Sequence, residues 1–391
     1  MTIPLLTTIC VLLLIAYLFD ITASKTKIPS VILLLALGWV VNQTTSFLGI
    51  KTPDLNPILP FLGTVGLILI VLEGSLELEL NKSKLPFLGK TSAIAFFPIL
   101  LFSFGLGYAI QYFGHTSFKI GLANAIPFAI ISSAIAIPSS HNLISKNREF
   151  ITYESSLSDI FGVIFFNFII LNNNSGIELF GTFLFDIIVI LFVSFISTLI
   201  LAFLLSKIKH HVKFVPIILM LVLIYDISKI YHLPALLFIF LFGLFLGNLD
   251  ELESNKYIQS LQPNILQKEV FKFKELTTEI AFLIRALFFL LFGFLIQTNE
   301  LLNSETIIWA LGITAGIFFI RFVFLSVSKL PIYPLLFIAP RGLITILLFL
   351  TIPISQKTPL VNKSLIIQVI ILTALIMMFG LMINKKKMTS K

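Results

Sequence analysis

Tyr153-Glu154-Ser155-Ser156-Leu157-Ser158-Asp159-Ile160-Phe161-Gly162-Val163-Ile164-Phe165-Phe166 is an apolar helical run that carries one deep carboxylate, Asp159. The chain around it is 58% hydrophobic and 12% charged, with a mean hydropathy of +1.05, far too apolar for a soluble globular protein. Runs of about 20 apolar residues recur along it, the length that crosses a hydrocarbon core of roughly 30 Å as a helix, and they lack the alternation of a membrane barrel. The reading is an all-α polytopic membrane protein. A charge at bilayer depth is costly enough that Asp159 marks an ion or proton pathway.

Working outward from this run, thirteen spans are read: 3–21, 28–47, 58–79, 92–113, 118–143, 153–171, 179–206, 212–227, 231–248, 277–298, 304–326, 331–352 and 364–384. Only the 249–276 connector is long, and its mixed charges read as a solvated linker or surface helix. The N-terminus has no basic region and no small-residue cleavage site, so 3–21 is expected to be a retained helix. With that end outside, 19 loop cations fall on the inner side and 5 on the outer, which satisfies the positive-inside rule and makes the C-terminus cytoplasmic. The net charge of +8 therefore reflects topology and not a nucleic-acid partner. Cys10, the lone cysteine, excludes an intramolecular disulfide. Usage rich in Ile, Phe, Lys and Asn points to an AT-rich bacterial genome and hence to the cell (inner) membrane.

Span 2, Ile28-Pro29-Ser30 through Gly38, echoes span 9, Leu233-Pro234-Ala235 through Gly243. Span 3 ends Leu72-Glu73-Gly74-Ser75-Leu76, and span 10 ends Leu291-Phe292-Gly293-Phe294-Leu295. Both pairs are seven spans apart, and an odd offset reverses the direction of insertion. The expected organisation is therefore a single transporter domain with inverted-topology repeats over 1–175 and 211–391, joined by a linker helix over 176–210. Spans 5 and 12 then correspond, and both are interrupted: Ser132-Ser133-Ala134-Ile135-Ala136-Ile137-Pro138-Ser139-Ser140 in one, Ile338-Ala339-Pro340-Arg341-Gly342 in the other. Proline removes a backbone donor and clashes with the preceding turn. Paired broken helices at matching places are a strong sequence pointer to a midplane site.

Asp159 follows the first break by about one helix, so the two can meet inside a bundle. A carboxylate in a partly dry site can hold a proton or a monovalent cation, hardly both, and with alternating exposure that exclusivity supplies an antiporter's coupling. Ser155 and Ser158, with Ser132, Ser133 or freed carbonyls, offer the oxygen ligands that hard cations prefer. The bland reading of Asp159 is a structural carboxylate paired with an arginine. Glu154 has Arg321 as its obvious buried partner, although a solvated cap is the alternative. Arg341, at the second break, is expected to neutralise converging carbonyl ends. Arg285 either pairs with Glu73 or snorkels to an interface. The histidines lack zinc spacing, His210-His211 reads as an interfacial basic pair, and Asn173-Asn174-Ser175 is a weak sequon. No phosphate loop, dinucleotide fingerprint or nucleophile elbow is present in the sequence.

In these motifs the chain resembles the monovalent cation:proton antiporters of the sodium/hydrogen exchanger type. Glu154-Ser155 through Ser158-Asp159 is similar to that family's Glu-Ser-x-x-Asn-Asp stretch. Arg321 resembles its span 11 arginine, Pro340-Arg341-Gly342 its Leu-Arg-Gly motif, and Leu72-Glu73-Gly74-Ser75-Leu76-Glu77 its Glu-Gly-x-Leu-Glu stretch. The resemblance implies the NhaA-like antiporter fold with crossed broken helices, and a homodimer embedded in membrane lipid. It further implies a mobile core of 92–171 and 304–384 against a dimerisation scaffold of 1–80 and 212–298, and a Glu154–Arg321 pair.

It also implies exchange of Na+, Li+ or K+ for H+ and no cofactor. Two departures stand out. The family's Thr-Asp in the first break is matched by Ala134-Ile135, and its Asn-Asp or Asp-Asp pair by Ser158-Asp159, so one carboxylate suggests one cation per proton, electrically silent. A sodium-coupled organic-anion symporter of similar plan, or a membrane sensor that has lost transport, are the competing readings.

Overall fold

The computed structural model describes residues 5–26, 28–50, 54–80, 82–171, 177–207, 210, 212–231, 233–249 and 263–383. The Asn173-Asn174-Ser175 sequon, His211, His232, the 250–262 part of the connector and the 384–391 tail lie outside them. The described residues form helices α1 (Leu5–Thr26), α2 (Ser30–Phe47), α3 (Ile58–Leu76), α4 (Leu85–Gly114), α5 (Phe118–Ala129), α6 (Ser133–Ser139) and α7 (Ser145–Leu171). They continue with α8 (Ile177–Lys207), α9 (Phe214–Ile230), α10 (Ala235–Gly247), α11 (Pro263–Phe294), α12 (Ser304–Val327), α13 (Leu343–Thr351) and α14 (Lys363–Ile383). Among the described residues no strand occurs. Nine of the described helices, counting the broken fifth span as one, are long and apolar enough to cross a membrane. Each of the thirteen expected spans contains helix, and the Lys268-to-Lys274 part of the connector belongs to the first turns of α11.

The helices pack in two groups. In one, α11 lies against α2 and α3, and α10 against α3, α8 and α9. In the other, α4 packs on α5 and α7, α6 on α7, and α12 on α4 and α14. α13 bridges them, touching α3, α5 and α7. The fifth span is almost wholly enclosed by its neighbours, which positions its interruption at the centre of the bundle.

That interruption falls at 130–132, upstream of its expected position. Ala134-Ile135 lie in the first turn of α6, and Pro138 is accommodated inside that short helix. No proline or glycine opens the chain at 130–132; the freed backbone groups are met by tertiary partners described below. The second interruption, at 338–342, does coincide with its proline, which biases Ala339 away from helix. The two breaks cross, with Ser132 N donating to Pro340 O at 2.9 Å. Gly342 permits this approach, since a Cβ there would lie 2.7 Å from Ile135 Cδ1 and 2.8 Å from Ser132 Oγ.

A second close crossing joins α2 to α11. A Cβ on Gly38 would stand 2.2 Å from Leu290 O, and one on Gly293 would stand 2.3 Å from Leu35 O. Backbone cannot yield as a side chain can, so Gly293→Ala is expected to destabilise the protein by at least about 1–3 kcal/mol. Gly105→Ala, where a Cβ meets open space, serves as the control. Thermal melts in detergent should separate the two, and equal melting temperatures would remove the packing argument.

Candidate functional site

Helix α7 carries the site along two of its faces. Glu154, Ser155, Ser156, Ser158 and Asp159 are all buried, with Asp159 only 1% exposed. Residues four apart share a helix face, so Ser155 aligns with Asp159 while Glu154 aligns with Ser158. The first pair meets the broken span: Ser133 Oγ, at the start of α6, donates to Asp159 Oδ2. Asp159 Oδ1 is buried without a hydrogen-bond partner. Ser155 Oγ donates to Ile151 O at 2.7 Å within its own helix, and a hydroxyl that donates keeps lone pairs with which to accept.

The second face builds the support. Ser158 Oγ accepts from Ile131 N at 3.0 Å, satisfying an amide that the break has released from helix. Its hydroxyl therefore holds the unwound stretch. Glu154 is gripped by Arg321 of α12 in a two-pronged ion pair, Nη1 to Oε1 at 2.7 Å and Nη2 to Oε2 at 2.9 Å. The two side chains are 2% and 5% exposed, so the pair is shielded from solvent screening. Arg321 Nε also donates to Leu335 O at 2.7 Å, tying α7 through α12 to the approach of the second break.

Arg341 lies between the breaks. Its guanidinium donates to Phe128 O at 2.5 Å, Ala129 O at 3.2 Å and Ala339 O at 2.9 Å, while its amide donates to Thr373 Oγ1 at 3.1 Å. The carbonyls at the C-terminal end of α5 are left over when the helix stops, and they carry the negative end of its dipole. A guanidinium with several fixed donors satisfies them together. Ser132 supplies its amide to the crossing, and its Oγ lies beside Gly342.

Glu73 of α3 faces Arg285 and Thr278 of α11, with no direct ion pair between Glu73 and Arg285 among the described contacts. Among the described residues no group of three or more His, Cys, Asp or Glu side chains is arranged to hold a metal ion. What converges at the crossing is oxygen chemistry around one carboxylate. Sequence reasoning missed Thr373 and Ile131, whose roles depend entirely on what folds against them. It also missed Tyr153, although a phenol six residues before Asp159, next to Glu154 on the same helix, is a visible signal.

The sodium/hydrogen exchanger transmembrane family model matches residues 10–385. The chain belongs to that family; it is a multi-pass membrane cation:proton antiporter and not an enzyme. Among solved structures, it is similar to the sodium proton antiporter MjNhaP1 from Methanocaldococcus jannaschii at pH 8. The identity is 19%, the TM-score 0.68, and the coverage 96% of this chain and 95% of that one. An electron-microscopy structure of the same antiporter gives 20% identity and a TM-score of 0.68, with 100% and 97% covered. The shared fold is the antiporter fold with crossed broken helices. No curated protein sequence matches.

Proposed function

We propose that the protein exchanges one monovalent cation, Na+, Li+ or K+, for one H+ by competition at Asp159. The observation that carries this reading is a lone buried carboxylate at the crossing, one oxygen held by Ser133 and the other without a partner. A proton or a cation can complete Oδ1, and each excludes the other. Ser155 and Ser133 oxygens supplement the carboxylate, with Ser132 at the crossing beside them. Ser158, Glu154, Arg321 and Arg341 keep the break open and its dipoles compensated. With a single exchanging carboxylate and neutral serines around it, one charge enters as one leaves. The crevices flanking the crossing measure about 30 and 40 Å3, room for a few waters.

Segments 92–171 and 304–384 act as a core that carries the ion past a scaffold of 1–80 and 212–298, in keeping with the two packing groups of helices. The 1–175 and 211–391 repeats are joined by the 176–210 helix. The working unit is a homodimer in a bacterial cell membrane, with the N-terminus outside and the C-terminus in the cytoplasm.

Proteoliposomes loaded with a pH dye test the reading. A Na+ or K+ pulse should dissipate a proton gradient without organic solute, at a rate that an imposed membrane potential leaves unchanged. Dependence on an organic anion would overturn it. Within the same assay Ser133→Ala should weaken apparent cation affinity about tenfold, since a hydrogen bond to a charged group is worth about 1.5–3 kcal/mol. An unchanged half-saturating concentration would remove Ser133 from the site.

A further inference from the structure

The segment between α3 and α4 is held from two sides. On one, Asn248 at the end of α10 donates to Leu78 O and Leu244 O, each at 2.7 Å, and accepts from Leu80 N. On the other, the Tyr153 hydroxyl of α7 donates to Glu79 O at 2.7 Å and accepts from Glu79 N at 2.8 Å. Lys84 Nζ then spans two carboxylates, Glu79 Oε2 at 2.6 Å and Glu149 Oε1 at 2.7 Å. Phe87 packs edge-on against Tyr153, with ring centroids 5.7 Å apart. A polar cleft of about 430 Å3 opens beside these groups, with Arg148 and Lys274 also on its walls.

Tyr153 and Asp159 stand on one rigid helix, separated by a rise of roughly 9 Å. Tyr153 and Glu149 belong to the proposed core, while Glu79 and Asn248 belong to the proposed scaffold. Any motion that opens Asp159 toward this face must part the Tyr153 hydroxyl from Glu79 and pull one carboxylate from Lys84. We propose that Tyr153 together with the Glu79–Lys84–Glu149 bridge forms a clasp that seals this face and sets the balance between the two access states. The inference rests on the core-and-scaffold reading above.

The strength of the contacts suits the task. Partly exposed ion pairs and single hydrogen bonds each shift an equilibrium by about fivefold, enough to bias two states and too little to lock one. Both carboxylates hold the Lys84 ammonium above the ordinary lysine range, so the bridge keeps its cation throughout neutral pH.

The experiment uses the full chain in proteoliposomes of known orientation, with half-saturating cation concentration measured from each face. Tyr153→Phe removes one hydroxyl, Lys84→Met removes the bridge, and Lys84→Arg retains a donor for both carboxylates. A more open clasp raises the population competent to bind from its own face, and apparent affinity scales with that population. Each of the first two variants should lower the half-saturating concentration on the clasp side by up to about fivefold without lowering it on the opposite face. Lys84→Arg should behave as wild type. Inert salt should move wild type toward Lys84→Met and leave the Tyr153→Phe effect in place. A face-symmetric change, or no change, in variants that exchange and melt like wild type overturns the clasp. Loss of exchange in wild type itself would instead overturn the function on which the clasp depends.

Discussion

Asp159→Asn is expected to abolish exchange, with the response of dye-loaded proteoliposomes to a Na+ or K+ pulse falling to the protein-free baseline. The amide is nearly isosteric and can still accept from Ser133 Oγ, the contact made by the native Oδ2. It can neither carry a proton away nor neutralise a cation, so both halves of the competition vanish together. Stability should move the other way. A carboxylate that is 1% exposed and has an unpartnered oxygen forgoes hydration that no neighbour fully replaces, and the neutral amide costs less to bury. The melting temperature in detergent should therefore hold or rise while transport is lost. Full exchange by the variant would refute the central assignment, and a collapse of folding would make Asp159 a structural residue.

Different parts of this molecule were legible to different degrees. The spans could be read because bilayer thickness dictates their length whatever their neighbours. Asp159, Glu154, Arg321 and Arg341 stood out because a charge within an apolar run has few explanations. The exact place of the first break could not be read. Pro138 drew attention to a stretch that remains helical, whereas the chain opens at 130–132, where Ser158, Pro340 and Arg341 take over the backbone groups. Such an opening is decided by partners distant in sequence, and local propensity carries almost no trace of it. The same limit applies to Ser158, a plausible ligand by type whose oxygen faces the Ile131 amide. Helical spacing does separate it from Asp159: Ser155 shares the aspartate's face, and Ser158 shares that of Glu154. Arg285 and Glu73 illustrate the converse, since both charges were visible while the gap between them follows from how α11 settles on α3.

The Glu154–Arg321 pair carries the largest expected effect on stability. Glu154→Gln should cost about 3–5 kcal/mol, because the guanidinium would stay buried without its counter-charge. Arg321→Gln should cost at least as much, since it strands the carboxylate and also removes one of the two donors to Leu335 O. The double variant should recover most of either loss, for two amides can bond to each other and neither leaves an uncompensated charge. A residual cost of about 1 kcal/mol is expected for the Leu335 carbonyl. Melting temperatures of the four proteins in one detergent form a double-mutant cycle, whose coupling term isolates the pair from packing losses common to both sites. Additive losses would mean that the two side chains do not depend on each other. Strong coupling together with reduced exchange in the stable double variant would mean that the pair orients the break as well as holding the fold, because Arg321 links α7 through α12 to the Leu335 carbonyl.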